Sequence, residues 1–147
     1  MPMSMPGNLA ELPAWARTLL EEARRAHLGL LDAKGAPRVL PVTFAVVGDD
    51  VVSAVDHKPK RVAGPDLARV RWLRHDPRAA LTVDRYDQDW TRLAWVQILG
   101  EVTVEGEVDA AAASALQARY PSYRDRAPAG PLLRLHVKRT LWWTARP

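Results

Sequence analysis

The run Val51-Val52-Ser53-Ala54-Val55-Asp56-His57-Lys58-Pro59-Lys60-Arg61 decides how this chain is read. Its first half is β-branched and small, the composition of a strand. Its second half is a polar exit carrying His57, Lys58, Lys60 and Arg61. Pro59 restricts Lys58 to extended geometry and removes one backbone donor. Lys58 and Lys60 therefore leave a stiffened backbone and can converge on one cluster of anionic oxygens. The same residues also suit a solvated hairpin end whose cations serve solubility.

Working outward, Gly48-Asp49-Asp50 is a turn. Before it, Ala36 to Val47 reads as one long strand, in which Pro41 argues for an edge or a bulge. Asp32-Ala33-Lys34-Gly35 is a second turn, and His27 to Asp32 a short apolar strand. These three strands form a meander. Upstream, Leu9 to Ala26 has helical spacing through Leu12, Trp15, Leu19 and Ala23, with Pro13 in its first turn. Residues 1–8 hold Pro2, Pro6 and Gly7 and are expected to fray.

Downstream, Gly64-Pro65-Asp66 opens a helix that Asp76-Pro77 closes. Leu67, Val70 and Leu73 form its apolar side; Arg69, Arg71, Arg74 and His75 form its basic side. Arg78 to Tyr86 is a fourth strand and Asp87-Gln88-Asp89-Trp90 a polar turn. Thr91 to Val104 is a fifth strand, apolar on both faces from Leu93 to Leu99, so one face can fill a barrel while the other meets a second subunit. Gly100 lets it bend. An Ala-rich helix from Val108 to Tyr120 stops at Pro121. In the last strand, Leu132 to Thr144, Leu133, Leu135 and Val137 alternate with Arg134, His136 and Lys138, and Trp142-Trp143 puts one indole on each face. Six strands joined largely as hairpins predict a mainly β chain with helices (α+β) forming a small antiparallel barrel. Residues 1–26 are read as an N-terminal tail and helix, and 27–147 as one barrel domain.

The chain has 147 residues, 48% of them hydrophobic, and a formal charge of +4, with Arg outnumbering Lys. One domain with a real core follows. The absence of cysteine removes disulfides, thiolate metal sites and thiol nucleophiles, and fits a cytoplasmic protein. No run approaches the ~20 apolar residues of a membrane span. GxGxxG, GxxxxGK[ST] and GxSxG are absent, the four histidines lack zinc spacing, and Asp84, Asp87 and Asp89 lack the rest of a calcium loop. The basic helix has no recognition-helix motif, and no strand face carries a run of aromatics, so no nucleic-acid partner is expected. Trp90, after an acidic turn, suits either stacking on a flat ring or capping the barrel.

Three runs then stand in order: Asp32-Ala-Lys-Gly-Ala-Pro-Arg-Val-Leu-Pro-Val42, Ser53-Ala-Val-Asp-His-Lys-Pro-Lys-Arg61 and Leu73-Arg-His-Asp-Pro-Arg-Ala-Ala-Leu-Thr-Val-Asp84, followed by Asp87-Gln-Asp-Trp90. With them the chain resembles the pyridoxamine 5′-phosphate oxidase-like split β-barrel proteins, and within these an actinobacterial branch that uses the deazaflavin coenzyme F420. The resemblance covers His27 to the C-terminus. It departs from the wider pattern at Trp72-Leu73, where Asn-Leu is usual before Asp-Pro.

The resemblance implies an FMN-binding split barrel-like fold and a homodimer with the cofactor in a groove between subunits. Lys58, Lys60, Arg61 and Arg69 would hold the cofactor phosphate. Ser53, Ala54, Val55 and Asp56 would run along the ring and ribityl chain, mainly through backbone, and Trp90 joins the set. It further implies an oxidoreductase passing hydride between F420 and a conjugated carbonyl or quinone, with the cofactor carrying the chemistry. No residue is assigned a catalytic role. The alternatives are an FMN enzyme and a non-catalytic carrier of flavin, F420 or haem.

Overall fold

The computed structural model of the chain describes residues 3–6, 8–55 and 67–146. Its strands are β1 (Met3–Pro6), β2 (Ala26–Leu31), β3 (Pro37–Val42), β4 (Ala45–Val47), β5 (Asp50–Ala54), β6 (Arg78–Arg85), β7 (Ala94–Glu105) and β8 (Leu132–Thr144). The α-helices are α1 (Ala14–Glu22), α2 (Ala68–His75), α3 (Ala110–Arg119) and α4 (Pro121–Asp125). The sheet is antiparallel in the order β3-β2-β6-β7-β8-β5-β4, with β1 added alongside β8. No helix among the described residues is long and apolar enough to cross a membrane.

Three expectations about the strands are corrected. Eight strands, not six, are present among the described residues. The segment read as one strand from Ala36 to Val47 breaks at Thr43-Phe44 into β3 and β4. Pro41 does not break it, because β3 is the terminal strand, where a missing donor costs the ladder least. Residues 3–6, expected to fray, form β1. On that edge of β8, β5 pairs only Leu132 to His136, and β1 takes Arg139 to Trp142, which would otherwise lack a ladder partner there.

The barrel is also not closed by hydrogen bonds. β3 and β4 are the two ends of the path, and no pairing joins them among the described residues. At the elbow between them Phe44 is fully buried. In place of a strand partner, its backbone N–H donates to the Tyr120 hydroxyl at 3.0 Å. That hydroxyl stands 3.1 Å from the carbonyls of both Phe44 and Arg24 and donates to one at a time.

The helices fill the space under the curled sheet. Pro13 precedes α1, so the predicted helix starts later, after a one-turn 3-10 segment at Leu9–Glu11, and ends at Glu22 rather than Ala26. Leu12, Leu19 and Leu20 join Val70 and Leu73 of α2 and Leu81, Val83, Val96 and Ile98 of the sheet in one core. A second core lies between β4, β5 and α3–α4: Val52, Ala54, Ala112, Leu116, Tyr123 and Leu132. Burial along β7 alternates, with Ala94, Val96 and Ile98 inside and Trp95, Gln97 and Leu99 half-buried on the outer face. Leu93 lies before the strand, and Gln97 makes that outer face less uniformly apolar than expected.

Between Leu99 and Gly100 the β7–β8 register shifts: Leu99 faces Arg139 and Gly100 faces Val137, leaving Lys138 as the extra residue of a bulge. The bulge resets the alternation of β8. Leu133 and Leu135 point into the core before it, Thr140 and Trp142 after it. Thr140 is fully buried, and its hydroxyl has no hydrogen-bond partner among the described residues. An unpaired buried hydroxyl costs about 1–3 kcal/mol, and an apolar isostere removes that cost. Thr140→Val is therefore expected to raise stability by about 1 kcal/mol in urea denaturation; a loss above ~0.5 kcal/mol would show that the hydroxyl is satisfied.

Candidate functional site at the open end of β5 and the outer sheet face

Val51 and Val55 point into the main core, and Val52 and Ala54 into the second. Ser53, 8% exposed, lines a void of about 10 Å³ with Leu28, Val42 and Leu135. The side chains of Ser53, Ala54 and Val55 are thus turned inward, and contact with a ligand here would run through backbone, as the resemblance implies. The backbone permits it. β4 pairs with β5 only as far as Val52, so from Ser53 onward the edge away from β8 has no ladder partner among the described residues. On the β8 side the chain stays fixed, with Val55 N–H donating to Pro131 C=O at 3.0 Å. Asp56, Lys58, Lys60 and Arg61, which follow this open edge in sequence, lie outside the described residues, as does the predicted helix start at Gly64-Pro65-Asp66.

Described structure resumes at Leu67, which precedes α2. Val70 and Leu73 are buried as predicted, and Arg69 is half-buried in the first turn. Trp90 is 69% exposed and opens a 3-10 turn on the surface. With Asp56, Lys58, Lys60 and Arg61 outside the described residues, the structure leaves the predicted set as a whole unplaced.

It shows instead a groove of about 510 Å³ on the outer face of β3, β2, β6 and β7. Gly29, Ala80 and Leu99, register neighbours across β2, β6 and β7, line it from the outer face. Arg38, Arg78 and Lys138 stand at its rim. Arg78 is held by Asp76 through two bonds, Nε–Oδ1 at 3.0 Å and Nη2–Oδ2 at 2.7 Å. This pair brings the Asp76 carboxyl down to about 2, so it stays ionised near neutral pH. Lys138 pairs with Glu101 at 3.0 Å.

Arg38 is more loosely held. It lies 3.5 Å from Asp32, whose carboxylate is already bound by the backbone N–H groups of Ala36 and Lys34, which lower its pKa. The Arg38 guanidinium stacks 4.6 Å from the Trp72 ring centre, joining β3 to α2. Sequence reading missed Arg38 as a site residue. The available signal was one arginine immediately before the apolar word Val39-Leu40-Pro41-Val42, but nothing in its spacing tied it to α2.

The family described as pyridoxamine 5′-phosphate oxidase has a model that matches residues 12–144. The chain belongs to this family. No curated protein matches the sequence. Among solved structures, an F420 reductase shares 19% identity over 90% of this chain and 98% of its own, with a TM-score of 0.61. A heme binding protein from Mycobacterium smegmatis shares 23% identity over 90% of this chain at a TM-score of 0.68, and the match spans 55% of that longer protein. The heme storage protein HutZ from Vibrio cholerae shares 13% identity over 83% of this chain and 87% of its own, at a TM-score of 0.65. At these identities the likeness is one of fold. Membership in the pyridoxamine 5′-phosphate oxidase family bears out the resemblance carried by the three sequence words.

Proposed function

We propose that the chain is an F420-dependent oxidoreductase acting on a small conjugated carbonyl or quinone, and that it works as a homodimer with the cofactor in a groove between subunits. The observation carrying this reading is the open edge of β5, which leads directly into the cationic run Lys58-Pro59-Lys60-Arg61. Two features fit a phosphorylated planar cofactor. A strand edge without a ladder partner offers backbone donors and acceptors to a ring and its side chain. The outer groove carries the small side chains of Gly29 and Ala80 beside Leu99, and at Gly29 an added Cβ would meet nothing nearer than 3.6 Å. Lys58, Lys60, Arg61 and Arg69 would hold the phosphate. Arg78 and Lys138 are less suited, because each already has its own carboxylate. The deazaflavin supplies hydride transfer; the protein's part is to bind it, orient it and exclude water.

Protein from a host lacking F420 is expected to be colourless, to bind added F420, and to oxidise its reduced form with an enone or quinone. Yellow protein with stoichiometric FMN would replace this reading with an FMN enzyme. The two haem-protein neighbours motivate a second reading, a flavin, F420 or haem carrier, which predicts tight binding without turnover on any acceptor.

Lys58 gives the site its own test. A hydrogen bond to a charged group is worth about 1.5–3 kcal/mol. Lys58→Ala is thus expected to weaken F420 binding roughly 10- to 150-fold while leaving the fold intact. Lys58→Arg should lose less, since it keeps the charge in a different shape. Lys34→Ala, on the first hairpin turn, is the control. Equal affinities for Lys58→Ala and Lys34→Ala at one ionic strength would return Lys58 to the role of a solvated cation.

A further inference from the structure

A second concavity, of about 530 Å³, lies at the far end of β2 and β6 and is lined by Ala23, Arg24, Arg25, Asp84 and Tyr86. Extending the pairing of His27 with Thr82 by two residues sets Arg25 beside Asp84. By strand alternation Arg25 shares a face with His27, Gly29 and Leu31. The cleft is therefore on the same outer face as the groove, four residues away along β2, or about 13 Å at ~3.3 Å per residue.

Its chemistry differs from that of the groove. Arg25 and Asp84 have opposite charges and flank one cleft, yet neither makes an ion pair among the described residues. Tyr86, two residues beyond Asp84 and on the same face, also lines the cleft and is 67% exposed. Of the four exposed large hydrophobic side chains among the described residues, two, Tyr86 and Trp90, stand in this one turn.

The turn is built rather than loose. Arg85 Nε donates to Arg92 C=O at 2.7 Å, Arg92 pairs with Asp87 at 3.3 Å, and Asp89 N–H donates to Asp87 Oδ1 at 2.7 Å. The Asp89 carboxylate accepts from the Thr91 hydroxyl at 2.7 Å and its N–H at 3.1 Å. On the other wall, Arg24 Nη1 is tied to Arg119 C=O at 2.6 Å. Fixed walls lower the ordering cost of binding.

We infer that this cleft is a binding site for an aromatic acid carrying a hydrogen-bond donor opposite its carboxylate, separate from the outer groove. The carboxylate meets Arg25, the ring lies against Tyr86, and the donor reaches Asp84. The inference does not depend on the groove taking a deazaflavin.

The probe is 4-hydroxybenzoate, titrated calorimetrically into the full chain without cofactor. Saturable one-site binding is expected, weakened at least about tenfold by Arg25→Ala through loss of charge-assisted bonds. Tyr86→Ala should weaken it severalfold, and Tyr86→Phe should restore it. Two ligand changes test the polarity of the site. 4-Hydroxybenzamide lacks the charge and 4-methoxybenzoate lacks the donor, so both should bind more weakly. Arg25 and Tyr86 are exposed, so unchanged melting temperatures should accompany these losses. No saturable binding up to ~10 mM, about 2.7 kcal/mol in affinity, would overturn the site, as would Arg25→Ala and Tyr86→Ala that bind like the parent.

Discussion

Gly100→Ala is expected to destabilise the fold by about 4 kcal/mol or more, enough to make the protein poorly soluble. An ideal Cβ at this position would lie 1.9 Å from the His136 carbonyl oxygen, 3.0 Å from its carbon and 3.2 Å from Leu135 Cδ1. Two of those atoms belong to the backbone of β8, so no rotamer change relieves the overlap. The two longest strands would have to part where the register shifts. The melting temperature should fall by roughly 10–15 °C, at ~2–4 °C per kcal/mol for a chain of this size. Gly29→Ala is the matched control. Its Cβ would come no closer than 3.6 Å to Ala80, an ordinary contact, and the change should stay within ~0.5 kcal/mol. A Gly100→Ala protein within 1 kcal/mol of the parent would falsify the close approach of β7 and β8 at the bulge.

That bulge also marks how far the sequence could be read. Gly100 was singled out as a residue that lets the fifth strand bend, and the register shift and the close approach of β8 fall there, as a glycine inside a strand signals. The alternation of Leu133, Leu135 and Val137 was legible too. Its reset after Lys138 was not, since the extra residue shows only once β7 is laid beside β8. β1 was missed for a related reason: four residues containing Pro6 have no strand signal of their own, and only the free edge of β8 gives them a partner. Pro41 was read as the mark of an edge or a bulge, and β3 is an edge strand; the break at Thr43-Phe44 was not foreseen. A proline announces itself locally, whereas the Tyr120 hydroxyl that receives Phe44 lies 76 residues away. For the candidate site, the sequence singled out the strand from Val51 to Val55 and the cations that follow it, which lie outside the described residues. It could not reveal that the Ser53, Ala54 and Val55 side chains face the interior, nor that Arg38 reaches Trp72, because both depend on packing between elements.

Arg119→Ala is the second large effect, about 3 kcal/mol of stability, because one side chain fastens three separate segments. Its Nη1 donates to Glu21 C=O at 2.7 Å, and its Nη2 donates to Ala23 C=O. These carbonyls belong to the end of α1, where intrahelical partners run out. The guanidinium also stacks 4.6 Å from the ring centre of Phe44 at the β3–β4 elbow. Two bonds at ~1.5–3 kcal/mol each set the upper range; the half-exposed site lets water take over part of the loss, which brings the estimate down to about 3 kcal/mol. Arg119→Lys keeps one charge-assisted bond but not the fork, and should fall about midway. Exposed Arg126→Ala serves as the control and should be near neutral. Urea denaturation followed by circular dichroism measures the global loss, and amide exchange should report faster opening at the end of α1. Because Arg24 and Arg25 lie just past that end, Arg119→Ala should also weaken 4-hydroxybenzoate binding in the outer cleft. A variant that loses less than ~0.5 kcal/mol, with unchanged exchange in α1, would mean that water replaces Arg119 at these carbonyls without penalty.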